Sequence, residues 1–334
     1  MSVDPPANVF VTGASGYLGR LLIAELAARR GEGRVGIVVA ADIRPVEVLP
    51  PGVTFVRHDV RDEGLVDLLR SFGITCVVHL ASIVTPPKGS TRAFEYSVDV
   101  TGTARVLEAC ALAGVGRIVV TSSGAAYGYH ADNPEWITED APIRGNQAFA
   151  YSWHKRVVEE MLADYRTRCP ALQQVVFRVG TILGATVNNQ ITALFERSRL
   201  LVIRGSDSPF VFVHDADVVD CLARAVDSPV VGIFNVAGDG ALTMHEIAML
   251  LGKPLMTVPA WLLRGALRLA RPLGLTRYGP EQVDFLRYRP VLANDRLKQV
   301  FGFVPRCTSR EAFDAWRAAS VARSRVKVPA RTLD

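Results

Sequence analysis

The chain has 334 residues, 49% of them apolar and 21% charged, which suits one large or two interlocked domains and excludes wholesale disorder. Its net charge is only +5 and no basic block interleaves with aromatics, so nucleic acid is not an expected partner. Five cysteines without a C-x-x-C pair exclude a disulfide scaffold and a zinc ribbon; with no basic-then-apolar leader at Met1–Asn8 and no ~20-residue apolar run for an integral membrane span, the expected location is cytoplasmic.

Along the first half, short β-branched runs alternate with helical patterns. Strands are predicted at Asn8–Thr12, Arg34–Ala40, Val53–Arg57, Cys76–Leu80, Arg117–Thr121 and Gln174–Arg178. Helices are predicted at Leu18–Arg29, Glu63–Phe72, Phe94–Leu112 and Tyr151–Thr167. Continuous apolar strands separated by helices predict an α/β fold, a doubly wound parallel sheet covered on both faces. After Arg178 the regularity fades into loop, helix and strand, and Phe210–Ala225 returns to a strand and a helix. Short helices follow at Thr243–Leu251, Trp261–Leu269, Asn294–Phe301 and Arg310–Arg317, a smaller and discontinuous lobe. The tail from Val321, with Arg323, Arg325, Lys327 and Arg331, lacks periodicity and is expected to be flexible.

The first predicted strand runs into Thr12-Gly13-Ala14-Ser15-Gly16-Tyr17-Leu18-Gly19 and then a helix. Gly13 permits a tight turn, Gly16 lets backbone N–H groups approach a pyrophosphate, and Gly19 lets helix and strand pack closely. The strand–loop–helix context supports a dinucleotide site. The second strand ends in Asp42-Ile43-Arg44, where a carboxylate suits a ribose diol and repels a 2′-phosphate. NAD is therefore favoured over NADP, although Arg44 softens that choice. Asp59-Val60 either holds the adenine edge or merely caps the next helix.

Tyr151 and Lys155 stand at i and i+4, on one helix face. A phenol with a pKa near 10 is a poor base, but an ammonium alongside favours its phenolate. His154 lies between them in sequence, and its ring is expected to leave that face for the surface. His79 and His214 read as scaffold residues, since no ligand spacing joins them and no metal site is expected.

Together these residues resemble the extended short-chain dehydrogenase/reductases, specifically the NAD-dependent epimerase/dehydratase family. The matching pieces are Thr12–Gly19, His58-Asp59-Val60, His79-Leu80-Ala81, Thr121–Gly128, Tyr151 with Lys155, Phe212–Val218, Phe234–Gly238 and Gly302–Pro305. The resemblance implies a Rossmann domain over residues 1–178 with 210–238, and a substrate-binding lobe over 179–209 with 239–320. A basic tail at 321–334 completes the expected division. It implies that Ser123 binds the reacting oxygen, Tyr151 moves the proton, and Lys155 holds the nicotinamide ribose. The cofactor would lie along Gly13, Ser15, Gly16, Tyr17, Leu18, Gly19, Asp42, Ile43, Arg44, Asp59 and Val60. On its nicotinamide side it would meet Leu80, Ala81, Ser82, Thr121, Tyr151 and Lys155. A small-molecule substrate would meet Thr85, Ser123, Gly124, Asn188, Asn189 and Arg204.

Departures from the family pattern narrow the chemistry. Gly124 and Ala125 replace the Asp-Glu pair of the 4,6-dehydratases, which argues against dehydration. Thr181 replaces a customary Asn, and Phe210 stands where a phosphate-binding Arg is frequent. Asp99 replaces an Asn before Val-x-Gly-Thr. The leading expectation is a nucleotide-sugar (UDP-sugar) 4-epimerase. The first rival is a net NAD(P)-dependent dehydrogenase/reductase of an apolar, steroid- or phenolic-ketone-like compound, which Leu194–Ile203 with Phe210 and Phe212 would suit. The second is a non-catalytic NAD-sensing binding protein. A homodimer is expected through the Phe94–Leu112 and Tyr151–Thr167 helices, with Ala104, Leu107, Ala111, Val157, Met161 and Leu162 on its face. Trp261–Leu269 is basic and amphipathic, with Arg264, Arg268 and Arg271 at i, i+4 and i+7. It reads as a solvated face over a lobe core, a membrane-surface helix or a guide for an acidic substrate.

Overall fold

The computed structural model describes residues 5–326 except 88 and 277. Its elements alternate through β1 (Ala7–Thr12), α1 (Tyr17–Gly31), β2 (Val35–Asp42), β3 (Val53–Arg57), α2 (Leu65–Ser71) and β4 (Cys76–His79). Next come α3 (Arg92–Tyr96), α4 (Gly102–Ala113), β5 (Arg117–Ser123), α5 (Ala150–Arg168) and β6 (Gln173–Val179). The less regular part holds β7 (Thr181–Leu183), α6 (Gln190–Phe195), β8 (Leu200–Ile203), β9 (Phe212–His214), α7 (Asp215–Asp227) and β10 (Gly232–Val236). It ends with α8 (Met244–Leu251), β11 (Leu255–Val258), α9 (Ala260–Ala270), α10 (Gln282–Arg287), α11 (Asp295–Gln299) and α12 (Ser309–Val326).

Seven strands form one sheet in the order β10-β6-β5-β4-β1-β2-β3, every pair parallel. The β-branched runs explain why both faces are covered. Val9, Val11, Val38 and Val78 join a core with Leu22 and Ile23 of α1 and Val218 and Leu222 of α7. Phe10, Val39, Val77 and Ile118 join the opposite core with Leu65, Val106, Leu107, Val158 and Leu162. Leu107 and Leu162 are thus core residues, fully buried, and leave the dimer face expected of them.

Three further expectations change. The long helix at Phe94–Leu112 is split into α3 and α4 by a π-helical turn over Ser97–Thr101. The tail expected to be flexible from Val321 begins as helix, because α12 continues through Val326; residues 327–334 lie outside the described residues. Most of the apolar side chains of Leu194–Ile203, with Phe210 and Phe212, are taken up by packing rather than left for a ligand. Phe195, Leu200, Val202, Phe210 and Phe212 build a third core with Phe313 and Trp316, where Phe210 and Phe212 stack with centroids 5.5 Å apart.

Candidate active site

Strand order reverses between β1 and β4, the crevice where parallel α/β sheets bind ligands. Gly13 sits there at φ +70°, and a Cβ on it would meet the Ala81 nitrogen at 2.7 Å. A Cβ on Gly19 would meet the Gly13 carbonyl oxygen at 2.2 Å, so both positions need glycine for close approach. Gly16 is the N-cap of α1, no side chain caps it, and the first turn holds no acid. The free N–H groups of that turn suit an anion. Leu18 packs against the core beneath.

At the end of β2, Asp42 accepts from the Ser15 N–H at 3.0 Å and the Arg44 N–H at 3.1 Å. Ser15 Oγ donates to the Arg44 carbonyl at 2.6 Å. Ser15, Arg20, Arg44, Pro45 and Glu47 line an open cleft, and Ile43 is exposed beside it. A bare helix N-terminus, glycines at the points of contact and a carboxylate beside a cleft fit a dinucleotide's pyrophosphate and ribose. The Tyr17 hydroxyl donates to Asp215 of α7 and accepts from Thr186 Oγ at 3.2 Å. Burial, then this Asp215 contact, pushes its pKa up to about 12, so its side chain fastens the glycine loop to α7. Asp59 holds Arg61, with Oδ2 2.6 Å from the guanidinium; it caps no helix, since α2 starts after Gly64. Val60 is buried.

On the other side of the crevice, the Leu80 and Ala81 N–H groups donate to Thr12. His79 is buried between Thr12 Oγ at 2.7 Å and Thr103 Oγ at 3.0 Å. Burial, then the charge of Lys155, lowers its pKa to about 4, which makes it a neutral scaffold residue. Next to it His79, Ala81, Ser82, Asp99, Thr121 and Lys155 help line a small pocket.

Lys155 is buried and donates through Nζ to the Thr121 carbonyl at 3.0 Å. The same Nζ lies 5.6 Å from the centre of the Tyr151 ring. Ser123 ends β5, and its Oγ accepts from the Ala125 N–H at 3.2 Å. Ser152 then donates to the Ala125 carbonyl at 2.6 Å, tying the first turn of α5 to the turn after Ser123. Behind them Arg178 and Glu159 form a fully buried pair with Nη2 2.6 Å from Oε2. Arg178 also donates to the Tyr127 hydroxyl at 2.8 Å, which donates to Asn235 Oδ1 at 2.8 Å. Thus β5, β6, β10 and α5 are locked together behind the three candidate catalytic residues.

His154 is the main correction. Its side chain is 1% exposed, and Nδ1 lies 3.0 Å from Asp99 Oδ2. Asp99 is held inward by the π-helical turn and also accepts from Ser82 Oγ at 3.0 Å and the Ile83 N–H at 2.8 Å. The α5 face read as solvent-facing meets this turn instead. The carboxylate where an Asn is usual thus comes with a histidine that completes its hydrogen bonding.

The expected substrate contacts are less convergent. Thr85, Asn188 and Arg204 are exposed. Asn189 caps α6, accepting from the Ile191 and Thr192 N–H groups at 2.9 and 3.0 Å. Gly124 has Leu292 Cδ2 at 3.2 Å from its absent Cβ. The unexpected residue is Arg289. Its guanidinium is buried, lies 3.8 Å over the Phe210 ring and has an Nε without a partner. It donates to the carbonyl and hydroxyl of Ser208, a non-glycine residue at φ +25°, and no carboxylate pairs with it among the described residues. Burial pulls its pKa down to about 9. Arg289 also neighbours Phe285, which meets Tyr129 and Phe149 edge-on or stacked, just before Tyr151. An arginine between Tyr288 and Pro290, without periodic neighbours, carries no sequence signal.

Residues 9–237 match the family described as the NAD dependent epimerase/dehydratase family. The chain is 27% identical over 312 residues to an uncharacterised protein of Mycobacterium tuberculosis, covering 92% of this chain and 83% of that one. It superimposes on MoeE5 in complex with UDP-glucuronic acid and NAD with a TM-score of 0.71 and 25% identity, covering 95% of this chain and 99% of that chain. It is similarly close to the UDP-glucose 4-epimerase of Thermus thermophilus complexed with NAD, with a TM-score of 0.70, 25% identity and coverage of 93% and 99%.

Proposed function

Because the chain belongs to the NAD dependent epimerase/dehydratase family, we propose that it acts at a secondary alcohol of a nucleotide sugar and inverts that carbon, as a 4-epimerase does. When bound, NAD supplies the acceptor and donor of the hydride. Ser123 hydrogen-bonds the reacting oxygen, and Tyr151 takes and returns its proton. Lys155, anchored by the Thr121 carbonyl, supplies the positive charge a phenolate needs beside it and holds the nicotinamide ribose. Asp42 accepts from the adenosine ribose, which disfavours NADP. Residues 179–209 and 239–320 serve as the substrate lobe.

The observation that carries the substrate class is Arg289, a buried guanidinium without a carboxylate partner among the described residues, which meets Phe285, itself stacked on Phe149 two positions before Tyr151. An isolated buried cation is costly unless an anion answers it, and a diphosphate does so. The apolar-ketone reading loses its main support, because its intended lining is spent in the lobe core. Dehydration lacks a carboxylate pair, and Leu292 crowds the Gly124 position. A homodimer through α4 and α5 belongs to the same reading, with the half-buried Ala104, Ala111, Val157 and Met161 on its face.

The test is incubation with UDP-glucose and UDP-galactose without added cofactor, followed by NMR of the sugar. Interconversion by enzyme carrying its own NAD is expected, and Arg289→Met should raise KM more than it lowers kcat. No interconversion, with net NADH release from a neutral alcohol, would overturn the proposal.

A further inference from the structure

A helix on a protein surface normally turns its polar side outward. In α9 the outward side is apolar. Trp261, Leu262, Gly265, Ala266 and Leu269 are all exposed, and at 100° per residue they fill an arc of about 140°. Trp261 is 74% and Leu269 72% exposed, and Leu273 and Leu275 continue the patch beyond the helix at 71% and 76%. No residue of α9 is buried.

The charges flank this arc. Arg268 is exposed at its edge, whereas Arg264 bridges to Asp284 at 2.7 Å and Arg271 to Glu281 at 3.3 Å. Those two bridges tie α9 down on its inner flank and leave the apolar arc facing out. From Lys253 to Pro280 the sequence has five basic residues (Lys253, Arg264, Arg268, Arg271 and Arg277) and no Asp or Glu. An exposed apolar arc with an indole, edged by the exposed Arg268, has the chemistry of the interface between anionic headgroups and acyl chains.

We propose that α9 and the loop through Leu275 dock the protein on an anionic lipid surface, lying in the plane of the membrane rather than crossing it. No helix among the described residues is long and apolar enough to cross. Docking on this face leaves α10 packed behind α9 through the Arg264–Asp284 bridge, and α10 carries Phe285, which stacks on Phe149 just before Tyr151. The substrate lobe would then work close to the membrane surface. This holds whichever alcohol the enzyme turns over.

The experiment is co-sedimentation of the full chain with vesicles of phosphatidylcholine and phosphatidylglycerol in equal parts, and with phosphatidylcholine alone. Binding to the anionic vesicles is expected, weakened by high salt and by Arg268→Glu. Trp261→Ser combined with Leu269→Ser should weaken it by about tenfold or more. Thermal melts check that these surface variants fold, and Arg268→Glu serves alone if the double variant does not. Absence of binding to anionic vesicles, or binding that neither variant changes, overturns the proposal. So does a double variant that turns an oligomer into a monomer in light scattering while wild-type protein ignores vesicles, which would make the face a protein interface.

Discussion

The two sides of the crevice between β1 and β4 use their side chains in opposite ways. On the glycine-loop side, polar groups are left facing a cleft: the uncapped start of α1, the Asp42 carboxylate, and glycines where a Cβ would touch backbone. On the lobe side, apolar side chains are consumed by the lobe's own core, and one buried guanidinium has no carboxylate partner among the described residues. The first side is shaped for a ligand of known outline. The second offers a buried cation that the proposed diphosphate would answer. A common cofactor can be recognised by shape, whereas the substrate preference rests on how one unusual residue is satisfied.

The largest expected effect breaks the chemistry without touching either side's fold. Tyr151→Phe keeps the ring 5.6 Å from the Lys155 ammonium but removes the proton carrier. Turnover should fall about 100-fold or more, while calorimetry finds NAD affinity nearly unchanged. Near-native turnover would remove Tyr151 from the chemistry.

Next comes the lock shared by both sides. Arg178→Met leaves the Glu159 carboxylate buried with Ser122 as its remaining partner. Stripping one member from a buried pair costs about 3–5 kcal/mol, which urea unfolding measures. A loss below about 1 kcal/mol would mean that the pair is not what fixes β5, β6 and α5.

Much of the first side is legible in the sequence because its signals are local. The β-branched runs, the glycine spacing, Asp42 at a strand end, and Tyr151 with Lys155 at i and i+4 each lie within a dozen residues. What the sequence hides is long-range. Helical spacing sends His154 to the surface because its own helix puts it off the Tyr151–Lys155 face; its partner, Asp99, arrives from 55 positions away on a π-helical turn that regular helical spacing cannot show. Arg289 reaches Ser208, 81 positions distant. Leu194–Ile203 reads as a ligand lining because apolar composition alone does not say whether a surface faces a cavity or another core residue. The helical start of the basic tail is hidden for want of periodicity, since α12 gains its contacts from Phe313 and Trp316 upstream.

A pH dependence isolates the buried histidine at the end of β4, across the crevice from the glycine loop. The His79 imidazole has a folded-state pKa of about 4, below its ordinary 6.5, chiefly through burial. Between those values the unfolded chain binds a proton that the folded chain refuses. Stability should therefore be fully present above pH 6.5 and fall as pH drops toward 4, by about 3 kcal/mol from this group. Urea unfolding of wild type and His79→Gln at several pH values gives the difference. Parallel curves would show that His79 is not the group responsible.

The smallest effect sharpens the comparison at its most specific point. Asp42 already accepts two backbone N–H groups, from Ser15 and Arg44. Each carboxylate oxygen has a second lone pair free for a ribose hydroxyl, so the same group shapes the loop and reads the cofactor. Asp42→Ala removes both roles, and hydrogen bonds to a charged acceptor are worth about 1.5–3 kcal/mol. NAD affinity should fall about tenfold or more. NADP should lose less, because the variant also removes a charge that repels its 2′-phosphate while Arg44 stays beside the cleft. Asp42→Asn separates the two roles: its amide oxygen can still accept from the loop, so the preference for NAD should narrow while the melting temperature stays close to wild type. Calorimetry with both cofactors decides, and a wild-type protein that bound NADP as tightly as NAD would make Asp42 a loop fastener alone.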